Sequence, residues 1–83
     1  MTHLYLNLFN GIGLARDEEG CDFATIEAAR EQALLGVRSI LSEELRRTGI
    51  IDLGGRVEIV DGQGSLLLTI AFCEAIEVKQ GSI

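Results

Sequence analysis

The 83-residue chain has no proline and no tryptophan, one histidine, two cysteines, and only seven lysines and arginines against thirteen acids. Of these shortages, the shortage of cations argues against the largest number of functional classes. A protein that binds DNA or RNA directly needs a basic face to displace counterions from phosphate, and a net charge of −6 argues against such a face. The same charge disfavours binding to anionic membrane surfaces.

The cysteines and the histidine form no recognisable metal or catalytic motif. Cys21 and Cys73 are too far apart in the sequence for a zinc or redox pair, and a reducing cytoplasm would keep both as free thiols. His3 has no neighbouring serine or cysteine to activate, and triads and metal sites need such partners. We therefore expect no cofactor and no catalytic activity.

Long apolar runs are missing as well. No stretch reaches the roughly 18 apolar residues of a membrane span, and the N-terminus lacks the basic region of a signal peptide. At 47% hydrophobic residues the chain is nevertheless too apolar to be disordered, and it is apolar for so short a globule. We expect one domain over residues 1–83, located in the cytoplasm, with apolar surface covered by a second copy in a dimer.

Hydrophobic periodicity divides the chain into strands and one helix. Residues 3–9 alternate, with Leu4, Leu6 and Leu8 on one face, which predicts a strand, and residues 14–16 are a candidate short return strand. From residue 26 the apolar spacing becomes three to four, which predicts a helix over residues 26–48.

The ends of this helix carry their own signals. Thr25 is a suitable N-cap, and Gly49 is a suitable C-terminal residue because it tolerates a left-handed backbone. No proline interrupts the pattern between them.

The last third of the chain predicts a hairpin. Residues 56–60 alternate, the turn-forming segment 61–64 follows, and residues 65–72 return. Three consecutive leucines at 66–68 blur the alternation and favour a central strand covered on both faces. The expected fold is α+β: one long helix packed on a small three- to four-stranded, mostly antiparallel sheet, in the order β(β)αββ.

Four segments resemble a family of short bacterial proteins of unknown function: "HLYLNLFNGIGLARDEEG", "TIEAAREQAL", "DLGGRVEIVDGQG" and "AFCEAIEV". The resemblance covers nearly the whole chain. It departs from the family at Arg16, where a proline is common, and at Thr25, where an aspartate is common. It implies the fold, but no activity, substrate or catalytic residue.

The acidic stretch "ARDEEGCD" at 15–22 raises the question of a metal site. If Gly20 takes the glycine position of a calcium loop, the first and last ligand positions fall on Ala15 and Ile26, which offer no side-chain oxygen. Asp17, Glu19 and Asp22 remain as candidate ligands for a weakly held, hydrated cation. The alternative, which the missing end ligands favour, is a solvated charged turn.

Five residues are candidates for an interface. Tyr5 and Phe9 lie on the outer face of the first strand, where they are not needed for the core. Arg30 and Glu44 interrupt the apolar stripe of the helix, and they could pair with a second subunit or extend past the edge of the core. Gly36 leaves a low strip on the helix that permits close approach of a strand or helix.

The leading functional hypothesis is therefore a protein that acts by protein–protein contacts and self-associates. A fold-level likeness to small antitoxin domains suggests an alternative, a regulatory module that binds a partner protein. A further alternative is a metal or small-molecule binder at the acidic stretch.

Overall fold

One long helix lies across a five-stranded antiparallel sheet in the computed structural model, which describes residues 1–11 and 13–81. The strands are β1 (Thr2–Asn10), β2 (Gly13–Ala15), β3 (Cys21–Phe23), β4 (Arg56–Asp61) and β5 (Leu66–Ala71), the helix is α1 (Ile26–Thr48), and a 3₁₀ turn covers Phe72–Glu74. The predicted α+β class is confirmed, but the sheet has five strands where three to four were expected.

The additional strand is β3, which shares one edge of β1 with β2. The sheet order is β2-β1-β4-β5, and β3 pairs with the other half of β1. Leu8 is opposite Ala15 of β2, and Leu4 is opposite Cys21 of β3. A tight turn joins β2 to its partner β1, whereas no such turn joins β1 to β3, and for this reason β3 was missed.

Strand β5 lies at the edge of the described sheet, and the prediction of a central strand was wrong. Leu68 is opposite Ile59 and Leu66 is opposite Val60, so Leu67 is the extra residue of a β-bulge. The run of three leucines therefore reflects a bulge and not burial on both faces. Leu66 remains 54% exposed.

Both ends of α1 follow the predicted capping. The Thr25 hydroxyl accepts a hydrogen bond from the Ala28 N–H at 3.0 Å. Gly49 has φ 74°, and its N–H donates to the Leu45 carbonyl at 2.8 Å. The predicted helix 26–48 is confirmed at both ends, because capping is a local interaction within a few residues.

The core lies between α1 and one face of the sheet. Its buried side chains come from the apolar stripe of the helix and from inward positions of the strands and the last turn: Leu4, Ala29, Ala33, Leu34, Val37, Leu41, Val57, Ile59, Ile70, Phe72 and Ala75. Leu6, Leu8 and Leu68 pack against this cluster from the same face. Within the described ranges, no helix has the length and apolarity that a membrane crossing requires.

Candidate interaction site

The acidic segment, residues 16–20, separates β2 from β3 and is bound to the edge of β1. Asp17 Oδ2 accepts from the Leu6 N–H at 3.1 Å, and Asp17 Oδ1 accepts from the Gly20 N–H at 3.0 Å. The Asp17 N–H donates to the side-chain oxygen of Asn7 at 2.9 Å. One carboxylate thus satisfies a strand amide that a neighbouring strand would otherwise pair with.

Gly20 lets the acidic segment lie close against β1. Its φ is 67°, in the left-handed region that favours glycine. A Cβ at this position would lie 2.8 Å from the Leu4 carbonyl oxygen and 2.9 Å from a Tyr5 ring carbon. The glycine is therefore required both by the backbone conformation and by the closeness of β1.

His3 holds the far end of the acidic segment. Its Nδ1 lies 2.8 Å from Asp22 Oδ1, and its Nε2 lies 2.7 Å from the Glu19 carbonyl oxygen. Both neighbours are acceptors, and only the imidazolium carries a proton on each nitrogen. The hydrogen bond to Asp22, followed by the one to the Glu19 carbonyl, raises the pKa of His3 above its ordinary value of about 6.5.

Two of the three candidate metal ligands already accept hydrogen bonds through their carboxylates in this structure. Asp17 accepts backbone hydrogen bonds, and Asp22 accepts from His3. Glu19 contributes its backbone carbonyl to His3. Among the described residues, no group of three or more histidines, cysteines or acids is arranged to hold a metal ion.

At the opposite edge of the sheet, a carboxylate caps the C-terminal end of β5. Glu74 Oε2 accepts from the Ala71 N–H at 2.7 Å, and Glu74 Oε1 lies 3.7 Å from the Arg30 guanidinium. The bulge at Leu67 further disrupts regular pairing along this edge. A bulge and a charged group both discourage the addition of another strand.

The face of the sheet away from α1 is different, since no described helix or strand packs on it. We call this surface the open face. Because side chains along a strand alternate between the two faces of the sheet, the open face carries the residues that alternate with the core-facing ones. They are His3, Tyr5, Asn7, Phe9, Leu14, Asp22, Arg56, Glu58, Val60, Leu66, Thr69 and Ala71.

The charged side chains that the strands place on the open face form two pairs. His3 pairs with Asp22, and Arg56 Nε lies 3.0 Å from Glu58 Oε2. The Arg56 guanidinium also stacks over the Phe9 ring, 4.1 Å from its centroid. The Tyr5 ring meets the His3 ring edge-on at 5.2 Å between centroids. Two of the predicted interface residues, Tyr5 and Phe9, therefore lie together on this face.

The other interface candidates lie on α1, away from the open face. Arg30 reaches Glu74, and Glu44 pairs with Arg47 at 2.8 Å, so both charges have partners within their own chain. Gly36 borders a groove of about 310 Å³ between α1 and β1, and no atom of the described residues lies within 4 Å of a Cβ built there. The close approach expected at Gly36 is therefore not made by residues 1–11 or 13–81.

Sequence reasoning missed the carboxylate contacts at both edges. The Asp17–Leu6 and Asp17–Asn7 contacts join residues about ten apart, and they depend on how β1 pairs with its neighbours. The contact of Glu74 with Ala71 is local and could have been anticipated from an acid three residues after a strand end. Cys21 and Cys73 are both exposed and both are free thiols.

The fold and these surfaces define a small α+β domain with one sheet face covered by a helix and one sheet face open. A family model described as a domain of unknown function, DUF6894, matches residues 3–73. The chain belongs to this family. Neither a curated protein nor a solved structure matches the chain. The family description names no activity.

Proposed function

We propose that this chain is a cytoplasmic protein without catalytic activity that acts by protein–protein contacts and associates with itself. The observation that supports this proposal most directly is the open face. It carries aromatic and aliphatic side chains, and its charges are already paired with one another. Such a face can be covered without leaving a charge unpaired, which is the main cost of burying polar surface.

The hydrogen bonds at the sheet edges support the same proposal. Sheets associate either by adding strands at an edge or by packing a face. A carboxylate occupies the Leu6 amide on one side of the sheet and the Ala71 amide on the other. No described helix or strand packs on the open face, so this face is available to a partner.

The hydrogen bonds of the lone histidine argue against its acting as a general base. Both of its ring nitrogens are engaged, one by Asp22 and one by the Glu19 carbonyl. A general base needs a nitrogen that can reach a substrate proton.

The proposal is tested by light scattering behind size exclusion over a wide range of protein concentrations. We expect the mass to rise from that of one chain to that of two as concentration increases. A constant single-chain mass up to millimolar concentration would contradict self-association. In that case a partner of a different sequence, such as the antitoxin-like alternative predicts, would be sought by co-purification.

A further inference from the structure

We infer that the open face is the interface with a second copy of this chain, and that two sheets pack face to face with the α1 helices outside. This inference rests on the proposed self-association and adds the surface that carries it. The central contacts are made by Tyr5, Phe9, Val60 and Leu66.

The apolar side chains of the open face form two groups, which a row of polar residues separates. Tyr5 of β1 is opposite Val60 of β4, and Val60 is opposite Leu66 of β5. These three side chains form one apolar row across three strands. Phe9 and Leu14 are opposite each other at the other end of β1. Aromatic and arginine side chains are the types that most often contribute large binding energies at interfaces.

Charge balance favours a second copy at this face. The chain carries a net charge of −6, so two copies repel each other wherever unpaired acids meet. On the open face, His3 offsets Asp22 and Arg56 offsets Glu58. Two faces of this composition can meet without adding to the repulsion.

The size of the open face is sufficient for a weak dimer. The sheet has four strand positions about 4.8 Å apart, and its longer strands have six to nine residues at about 3.4 Å for each residue. These dimensions give the open face an area of roughly 400–600 Å² per copy. Two copies would then bury roughly 1,000 Å², which is near the lower limit for a specific interface. We therefore expect a dimer that dissociates on dilution, with a dissociation constant on the order of micromolar.

The chain offers a matched pair of substitutions for the test. Leu66 lies on the open face and is 54% exposed, whereas Leu35 lies on α1 and is 55% exposed. Leu66→Lys and Leu35→Lys add the same charge to equally exposed leucines. We expect Leu66→Lys to raise the dissociation constant by about tenfold or more, because it places an unpaired cation in the interface. We expect Leu35→Lys to leave it within about twofold.

Leu14→Lys, on the same face at the other end of β1, is a second test variant if Leu66→Lys proves too unstable. Circular dichroism and a urea titration would establish that each variant is folded. A wild-type dimer that neither open-face substitution weakens would overturn the face-to-face inference while self-association stands. Dissociation caused by Leu35→Lys alone would place the interface on the helix. A wild-type chain that never dimerises would contradict both proposals.

Tyr5 supplies an independent readout, because it is the chain's only tyrosine and there is no tryptophan. It lies on the open face and is only half-buried in the single chain. Acrylamide should quench its fluorescence less efficiently at concentrations where the mass has doubled. Unchanged quenching across the transition to dimer would count against the inference, since Tyr5 would then remain uncovered.

Discussion

On each side of the sheet one strand N–H donates to a carboxylate, but the two carboxylates are held in different ways. The Asp17 carboxylate accepts from the N–H of Leu6, eleven residues away in the sequence. Asp17 also lies in a segment that hydrogen bonds from His3 and Asn7 attach to β1. The Glu74 carboxylate accepts from the N–H of Ala71, only three residues away, and forms an ion pair with the Arg30 guanidinium at 3.7 Å. One contact is part of the tertiary structure, and the other is a local cap.

This difference predicts unequal consequences when each carboxylate is removed. A local cap is lost with little effect elsewhere, as with other helix-terminal caps. A carboxylate that joins a separate segment to a strand affects several hydrogen bonds at once. Two substitutions and one pH titration test the comparison, in order of decreasing expected effect.

Asp17→Ala should have the largest effect. It removes both acceptors of a half-buried carboxylate, so the Leu6 and Gly20 amides lose their partners. We expect the free energy of unfolding to fall by about 1–3 kcal/mol, measured by urea titration. Amide hydrogen exchange should show selective loss of protection at Leu6.

The control for this variant is Glu18→Ala, which removes the same charge from the adjacent, exposed position of the acidic segment. We expect it to change the free energy of unfolding by less than about 0.5 kcal/mol. Equal destabilisation by the two variants would show that net charge, rather than the contact with β1, is what matters.

Glu74→Ala should have a smaller effect, since the cap is local and the side chain is about half exposed. We expect a loss of about 0.5–1 kcal/mol, with faster exchange at the Ala71 amide and little change at Leu6. Glu77→Ala, at an exposed position nearby, is the matched control. If Glu74→Ala destabilised the chain as much as Asp17→Ala, the distinction between a local and a tertiary contact would fail.

Protonation of His3 should have the smallest effect, and it should act only at the Asp17 edge. Its pKa is raised in the folded chain, chiefly by the hydrogen bond to Asp22, so protonation favours the folded state. The stabilisation is complete below the unfolded pKa of about 6.5 and is lost as pH rises through the higher folded pKa. High salt should weaken it, because His3 is exposed.

The pH effect can be measured by following the His3 ring resonances and amide exchange around residues 19–22 between about pH 5 and 9. His3→Gln should abolish the pH dependence in this range while Ala71 exchange stays unchanged. A stability that rises with pH through this interval in the wild-type chain, and not in the variant, would reverse the sign derived from the geometry.

Some elements of the fold could be predicted fully from the sequence, and others only in part. The helix from Ile26 to Thr48 and its caps at Thr25 and Gly49 were predicted, because the signals lie within a few residues of the ends they specify. The strand at residues 66–71 was found, but its position was not. Three leucines in a row are compatible with burial on both faces and with a bulge, and only the register with β4 separates the two.

The candidate site also combines features that could be predicted from the sequence with features that could not. Tyr5 and Phe9 were predicted on the outer face of β1 from alternation alone, and they lie there. The partners of Arg30 and Glu44 could not be foreseen, since Arg30 reaches Glu74 across the fold. The acidic stretch was singled out by composition, whereas its attachment to β1 through Asp17 and His3 depends on the pairing of β1 with β2 and β3.

The α+β class, the extent of the helix and the residues of β1 that face the core could be predicted from the sequence. These properties follow from periodicity and capping, which act over one or two turns of chain. The position of β5 at an edge, the contact of Asp17 with β1 and the open face of the sheet became visible with the three-dimensional structure. Those features depend on which strands pair and in what register, and pairing between distant segments is set by the packing of the whole chain.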